Sequence, residues 1–216
     1  MWLKIFSKTL LLCLLSTVCL TSAKANGSAL NFRKYSSKDG LSSNTIFSLL
    51  KDSYGFLWVA TEDGLNRFDG TNFKVYRHDK NNPSSLRANH ITALHESADG
   101  SLWIGTNGGS LSTYDRTKDA IVNYLPNGRL GGMSAAITSV CTDGEGNIWV
   151  ASYEGLYVIH RISKKVIYYD SGTKQHDKLK TPVSLCVFKD SKGRMWVGTD
   201  NGLYLYDLKG NSVKQY

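Results

Sequence analysis

The chain has 216 residues, a formal net charge of +8 and four cysteines, and 41% of its residues are hydrophobic. Its basic residues are scattered. Their densest cluster, "RISKK" at residues 161–165, includes Ile162, which is typical of a solvated strand end rather than of a patch that binds polyanions. We therefore expect no nucleic-acid partner.

Residues 1–25 have the pattern of an export signal. Two lysines near the start are followed by an uncharged, largely apolar stretch from Thr9 to Ala23, and Ala23-Lys24-Ala25 fits a small-x-small cleavage site. The apolar stretch is shorter than the roughly 20 residues that a membrane span needs. We predict a signal peptide at 1–25 and an exported, periplasmic mature chain at 26–216. Its net charge is +5, because three lysines and no acid leave with the signal.

Four tryptophans recur at nearly constant spacing in the mature chain. Trp58, Trp103, Trp149 and Trp196 are separated by 45, 46 and 47 residues. Each has a glycine three residues before it, an aliphatic residue nine before it and two small residues shortly after it. This self-similarity predicts four structural repeats, each centred on one tryptophan.

Each repeat has the pattern of four short strands. In the second repeat they are "ITALHES", "LWIGT", "LSTYDR" and "IVNYLP", separated by clusters of Gly, Asp and Asn. No part of the mature chain has a convincing helical period. A unit of about 45 residues with four strands is typical of a β-propeller blade. We predict an all-β fold, a β-propeller of about four four-stranded blades, over residues 26–216.

The turn between the first two strands is also repeated. It reads "DSYG", "SADG", "DGEG" and "DSKG" in the four repeats. Asp or Ser at its start can hydrogen-bond the backbone of the turn, and the closing Gly supplies the positive φ of a three-residue hairpin loop. The tryptophan that follows lies on the second strand, where we expect it to pack between neighbouring blades. These residues are predicted to be scaffold.

Two cysteines, Cys141 and Cys186, remain after the signal is removed. Exported proteins can form disulfides. Both cysteines, however, fall on first strands of adjacent repeats, which are not hydrogen-bonded neighbours, whereas a disulfide needs Cα atoms within about 7 Å. We expect two unpaired, buried cysteines.

Patterns typical of metal sites and of catalysis are weak in this sequence. The segment "DGEGN" at 143–147 resembles the start of a calcium loop but lacks its sixth-place Gly and twelfth-place Glu. The five histidines have no metal-ligand spacing. Neither a G-x-S-x-G motif nor a P-loop is present. We predict no metal, no cofactor and no catalytic residue in this chain.

One stretch resembles a known family. The sequence "GLSSNTIFSLLKDSYGFLWVATEDGLNRFDGTNFKVYRHD", from Gly40 to Asp79, resembles the two-component regulator propeller repeat. The shared pattern is D-x-x-G-x-(LIM)-W-(VI)-(GA)-T, then G-L, then an aromatic residue followed by Asp. The resemblance extends from Asn31 to Tyr216. The third repeat departs from it, with "YVIH" in place of the aromatic–Asp pair, so its third turn should differ.

The resemblance implies a sensor. Members of this family form the extracytoplasmic sensor portion of bacterial receptors, usually as seven-bladed propellers followed by a membrane helix and a histidine kinase or diguanylate cyclase. We therefore interpret the chain as a fragment, an open arc of a seven-bladed propeller, with one apolar inter-blade face exposed. The implied partners are the remaining blades and the signalling domains of a receptor anchored in the inner membrane, and a dimer is a further option.

The turns after the second strands are the candidate ligand site. In a propeller they gather at the channel mouth, on the same face as the links between blades. Tyr153 could stack on a sugar ring and the polar side chains could bind hydroxyl groups, so we expect an extracytoplasmic ligand, with an oligosaccharide as the first candidate. The same side chains could also be plain solvated turn residues. The predicted site residues are Glu62, Asp63, Asn107, Tyr153, Glu154, Asp200 and Asn201.

A second function class stays open at this point. A soluble, secreted propeller enzyme such as a lyase would share the same repeats, since a fold does not fix a function. A kinase or cyclase in the same reading frame would favour the receptor, whereas a stop after seven blades would favour the enzyme.

Overall fold

A computed structural model of the protein describes residues 31–124, 136–169, 183–207 and 212–216. The chain divides into two compact units, Met1–Lys34 and Tyr35–Tyr216. In the first unit, the described residues 31–34 are exposed and have no regular secondary structure. The predicted signal peptide lies outside the described residues. Nowhere in the described ranges is there a helix with the length and apolar character needed to cross a membrane.

The second unit is built from β-sheet. Its described residues form sixteen strands in four antiparallel sheets, and each sheet uses four strands in chain order. One repeat makes one sheet, so the predicted all-β fold of four four-stranded blades is confirmed. A short 3₁₀ turn at Ser37–Asp39 precedes the first strand.

We call the sheets blades 1 to 4. Blade 1 contains β1 (Ile46–Lys51), β2 (Leu57–Thr61), β3 (Gly64–Phe68) and β4 (Phe73–Tyr76). Blade 2 contains β5 (Ile91–Glu96), β6 (Leu102–Thr106), β7 (Leu111–Asp115) and β8 (Ala120–Asn123). Blade 3 contains β9 (Ile137–Thr142), β10 (Ile148–Ser152), β11 (Gly155–Ile159) and β12 (Val166–Tyr169). Blade 4 contains β13 (Ser184–Lys189), β14 (Met195–Thr199), β15 (Gly202–Asp207) and β16 (Ser212–Gln215).

The blades stack side by side with their first strands on the inside. Strands β1, β5, β9 and β13 lie next to one another, and the packing links successive blades from the first to the fourth. Among the described strands the sheets therefore form an open arc rather than a closed ring. The arc places the start of every first strand, and the end of every second strand, at the same face.

Apolar side chains between adjacent sheets form the core. Trp58 is fully buried, and its ring centroid lies 4.8 Å from that of Tyr114 in blade 2. Trp149 is likewise buried, 5.3 Å from Tyr206 in blade 4. An aromatic side chain of this size buries roughly 150–250 Å², which contributes about 5 kcal/mol as an upper estimate. The prediction that the tryptophans pack between blades is confirmed for these two.

The turns between first and second strands have the predicted geometry. The closing glycine has a positive φ in every repeat, for example +93° at Gly55 and +77° at Gly193. The third turn of blade 3 differs from those of blades 1 and 2 in lacking the aspartate, and the predicted difference is limited to that residue. In blades 1 and 2 a strand-end aspartate accepts backbone N–H groups of that turn. In blade 3 His160 takes the place of that aspartate, but the turn from His160 to Lys165 is as long as the turn from Asp115 to Ala120 in blade 2, and each has a positive φ at its fifth residue.

The free face of blade 4 is apolar and open to solvent. Phe188 is 62% exposed and Leu203 is 42% exposed. Together with the half-buried Trp196 they line a shallow depression of about 360 Å³. On the free face of blade 1 the segment before β1 covers part of the sheet, with Leu41 buried and Tyr35 packed 5.0 Å from Phe68. Leu49, which pairs with Val59 on that face, is 60% exposed. The predicted exposed inter-blade face is therefore present on blade 4.

Both cysteines are unpaired, as expected. Cys141 is buried between blades 3 and 4, whereas Cys186 is exposed. The expectation of burial was wrong for Cys186, because it points to the free face of blade 4 and lines the depression there.

Candidate functional site

The Asp–Trp pair in the turn between first and second strands of blades 1, 3 and 4 is structural. In blade 1 the Asp52 carboxylate accepts the backbone N–H groups of Tyr54 and Phe56 through one oxygen and the Trp58 indole N–H, at 2.8 Å, through the other. Asp143 and Asp190 accept the indole N–H of their own tryptophans at 3.0 Å. Sequence reasoning anticipated the turn but missed the indole bond. Its signal is an aspartate six residues before the tryptophan.

The candidate turns lie at the expected end of the sheets. Within each blade the start of the first strand pairs with the end of the second, as in Ile46 with Thr61 and Ile91 with Thr106. The turns that follow the second strands are therefore beside the links that enter each blade. Backbone bonds join the two, for example from the Glu62 N–H to the Thr45 carbonyl at 3.2 Å.

A cavity of about 430 Å³ lies at this inner end. It is lined by side chains from all four blades, and two of the seven predicted residues, Asn107 and Tyr153, are among them. The other lining residues are Phe47, His90, Thr92, Ala136, Ile137, Thr138 and Leu185. Carboxylate, ammonium and guanidinium groups do not occur among these described lining residues.

The cavity offers aromatic surface. The rings of Phe47 and His90 lie 4.5 Å apart between centroids, at an interplanar angle of 35°. Phe47 is 47% exposed and Tyr153 is 56% exposed, both high values for large apolar side chains. Exposed aromatic faces next to hydrogen-bonding groups are the composition expected of a ligand cavity.

Its polar groups are held by bonds between blades. The Thr92 hydroxyl donates to the Ile137 carbonyl at 2.6 Å, and the Thr138 hydroxyl donates to the Ser184 carbonyl at 2.8 Å. Each of these hydroxyl oxygens keeps acceptor capacity for a ligand. The Asn107 amide nitrogen lies 3.3 Å from the His90 imidazole Nδ1. The inner strands and the cavity wall are thus fixed by the same bonds.

The remaining predicted residues lie on the same turns but not in the cavity wall. Asp63 accepts the Asn89 amide at 3.0 Å and pairs with Arg77 at 3.1 Å, so its carboxylate links the turn to the strand that leaves blade 1. Glu154 has one carboxylate oxygen buried without a hydrogen-bond partner among the described residues. The others are exposed: Glu62, Asp200 and Asn201.

Sequence reasoning missed the inner strands as part of the site. Phe47, Thr92, Thr138 and Leu185 are each the second residue of a first strand, and all four line the cavity. Aligning the repeats and reading that one column would have found them.

Comparison with known proteins gives the family. Residues 40–63, 85–108, 131–154 and 178–201 match the family described as "Two component regulator propeller". The chain is built from two-component regulator propeller repeats. These repeats include the four second strands and the turns that follow them, so they contain all seven predicted site residues.

Relatives of these regulator propeller repeats are longer proteins. Histidine kinase P4 of Formosa agariphila is 42% identical over 65 residues, which are 30% of this chain and 5% of the kinase. The extracellular domain of BT3049 of B. thetaiotaomicron, described as a hybrid two component system, superposes with a TM-score of 0.72 at 25% identity. That match covers 85% of this chain and 26% of the BT3049 chain. The chain therefore spans a small part of each.

A lyase shares the fold as well. Virginiamycin B lyase of Staphylococcus aureus superposes with a TM-score of 0.60 at 12% identity, over 79% of this chain and 55% of the lyase. At that identity the likeness shows the β-propeller fold alone.

Proposed function

We propose that the chain is part of the extracytoplasmic sensor propeller of a bacterial signalling receptor, and that its inner cavity binds a neutral oligosaccharide. The observation that supports the proposal is the 430 Å³ cavity to which all four blades contribute. Cavities of roughly 300–1,000 Å³ are the size in which proteins bind small ligands.

The lining chemistry favours a neutral, amphipathic ligand. Phe47, His90 and Tyr153 present ring faces, which suit the apolar face of a sugar ring. Asn107, Thr92 and Thr138 supply the amide and hydroxyl groups that would bind sugar hydroxyls. A charged ligand would find no counter-ion among the described lining residues, and burying an unpaired charge is costly.

The receptor assignment rests on the family and on the relatives. In the proposed receptor the chain is exported, further blades pack against the free face of blade 4, and the signalling domains are anchored in the inner membrane. Phe188, Trp196 and Leu203 supply the apolar contact that a neighbouring blade would cover. A ligand that touches several blades at once would bias their relative positions, which is the change that a sensor has to transmit.

The lyase alternative has less support. The likeness to virginiamycin B lyase is one of fold. Among the described residues that line the cavity, His90 is the one histidine.

The test is a binding measurement on the full chain. Neutral tetrasaccharides of glucose, xylose and mannose are titrated by calorimetry against the native protein and against Tyr153→Ala and His90→Ala. We expect one tetrasaccharide class to bind and each variant to weaken binding about tenfold, because a ring contact is worth roughly 1–1.5 kcal/mol.

Tyr54→Ala is the matched control. Tyr54 is a 66% exposed tyrosine in the turn between β1 and β2, at the opposite end of the blade. It should leave binding unchanged. Absence of binding by every neutral tetrasaccharide, or equal loss in the control, would refute the oligosaccharide proposal.

A further inference from the structure

A buried carboxylate links blade 1 to blade 2 at the end of the sheets opposite the inner cavity. Asp52 accepts the indole N–H of Trp58 at 2.8 Å and the guanidinium Nη1 of Arg116 at 2.8 Å. The Asp52 side chain has no exposed surface, and that of Arg116 is 19% exposed. One carboxylate thus satisfies a donor from its own blade and a donor from the next blade.

Blade 2 has a serine at the corresponding position. Ser97 is six residues before Trp103, as Asp52 is before Trp58. Its hydroxyl donates to Asp99 at 2.6 Å, within the turn. The indole nitrogen of Trp103 is buried and has no hydrogen-bond partner among the described residues. Tryptophan normally finds a partner for this N–H when it is buried.

The second donor is also present. Arg161 follows β11 in blade 3 at the repeat position that Arg116 has in blade 2. Its ion pair is with Asp99 at 3.9 Å, and its side chain is 59% exposed. Both donors that bind a carboxylate between blades 1 and 2 therefore recur between blades 2 and 3, where the aspartate is replaced.

A cavity of about 370 Å³ lies between these two blades. Ser97, Trp103 and Arg161 all line it. Lys164 and Lys189 add positive charge to the wall, and Tyr124 adds an aromatic ring whose hydroxyl accepts from Lys164 at 2.7 Å. The acidic residues in the wall are Asp99, Asp143 and Glu145.

Those acids do not replace the missing aspartate. Asp143 already accepts the Trp149 indole and the Asn147 amide. Asp99 accepts Ser97 and the backbone N–H of Ser101. Glu145 is exposed at the rim. None of the three accepts the indole N–H of Trp103.

We propose that the cavity between blades 2 and 3 binds a small organic carboxylate. This carboxylate accepts the Trp103 indole N–H and pairs with Arg161, just as the Asp52 carboxylate accepts from Trp58 and pairs with Arg116. Because the indole nitrogen is buried, binding includes a local shift of the turn at residues 97–101. Ser97, Ala98 and Asp99 at the start of this turn are at least partly exposed. The site is separate from the inner cavity and does not depend on the proposed sensor function.

The test follows the Trp103 indole N–H directly. The full chain, with ¹⁵N-labelled tryptophan, is titrated with sodium acetate at constant ionic strength set with sodium chloride, and the indole resonances are recorded by NMR. Trp103→Phe identifies the Trp103 peak. We expect that peak to move downfield saturably, as formation of a charge-assisted hydrogen bond requires, while the Trp58 peak stays in place.

Two variants make the assignment specific. Ser97→Asp supplies the carboxylate from the chain, so its Trp103 peak should start near the acetate-bound position and not move. Arg161→Gln should weaken acetate binding at least fivefold, whereas the surface control Arg194→Gln, whose arginine pairs with Asp190 inside blade 4, should not. A stationary Trp103 peak in the native chain, or an unchanged acetate affinity in Arg161→Gln, would overturn the proposal.

Discussion

At the scale of single residues, the Asp52 carboxylate joins turn, indole and neighbouring blade. Burial raises its pKa, but hydrogen bonds from Trp58 and Arg116 outweigh burial, and the pKa is held below its ordinary value. The carboxylate is therefore ionised at neutral pH although it has no exposed surface. Removing its charge leaves Arg116 paired with Glu96 at 3.2 Å but gives the Trp58 indole and the guanidinium Nη1 a weaker, neutral acceptor in a buried place.

Asp52→Asn should lower the free energy of unfolding by about 3 kcal/mol at pH 7. Since the folded-state pKa is depressed, the contribution of the carboxylate is present above the unfolded pKa of about 3.9 and is lost as the pH falls through the folded value. The difference in free energy of unfolding between the native protein and the variant should thus become smaller as the pH falls below about 4. Urea denaturation at several pH values measures it.

The control for this prediction is Asp69→Asn. Asp69 also accepts backbone N–H groups of its turn, from Thr71 and Asn72, but it is exposed. Its substitution should change the free energy of unfolding much less than Asp52→Asn does, because solvent screens an exposed carboxylate. If the difference in free energy of unfolding between the native protein and Asp52→Asn stayed constant down to low pH, the charge of the carboxylate would not be what stabilises the fold.

At the scale of strands and turns, Gly64 shows why the position after the second-strand turn is restricted. Its φ is +132°, and a Cβ built on it would lie 2.8 Å from the Tyr76 carbonyl oxygen of β4. The carbonyl belongs to a paired strand and cannot move without breaking the β3–β4 ladder. In blade 2 the residue that corresponds to Gly64 is Ser110, and the turn before it is longer and contains Gly109.

Gly64→Ala should therefore lower the free energy of unfolding by about 2 kcal/mol, from left-handed strain and from the collision with the carbonyl. Gly144→Ala is the control, because nothing lies within 4 Å of its added Cβ and its φ is not in the left-handed region. That variant should be neutral or slightly stabilising. Equal destabilisation by both would contradict the steric account. Thermal and urea unfolding distinguish the two.

The same scale shows what sequence could and could not predict. The strands of blade 2 agree with the predicted segments because their β-branched runs and turn residues are local signals. The cavity wall was only partly predicted. Thr92 binds the Ile137 carbonyl 45 residues away, and such a contact depends on how two blades stack. Asn107 and Tyr153 were found because turn position alone places them at the inner end.

At the scale of the whole arc, the free faces of the two end blades differ in how far they are covered. The segment before β1 covers part of the free face of blade 1, with Leu41 buried at 5% exposure. The corresponding face of blade 4 exposes Phe188 and Leu203. A contiguous apolar patch of this kind is typical of an interaction surface. In the proposed receptor it packs against a further blade, and in the isolated chain it is free for a second copy.

We expect the isolated chain to form a concentration-dependent dimer through blade 4. The segment before β1 lies over part of the free face of blade 1, whereas the blade 4 face is uncovered, and a twofold contact between two blade 4 faces gives a closed dimer. Phe188→Ser with Leu203→Ser should abolish the dimer in sedimentation experiments. Stability should change little, since both side chains are already exposed.

Leu49→Ser provides the comparison for that experiment. Leu49 is 60% exposed on the free face of blade 1, so its substitution removes exposed apolar surface there without touching a twofold contact between blade 4 faces. Its dimer should persist with unchanged affinity. If the Leu49 variant lost the dimer as fully as the double variant, a head-to-tail contact between blade 4 and blade 1, rather than the twofold contact, would hold the copies together. If neither lost it, the contact would lie elsewhere on the arc.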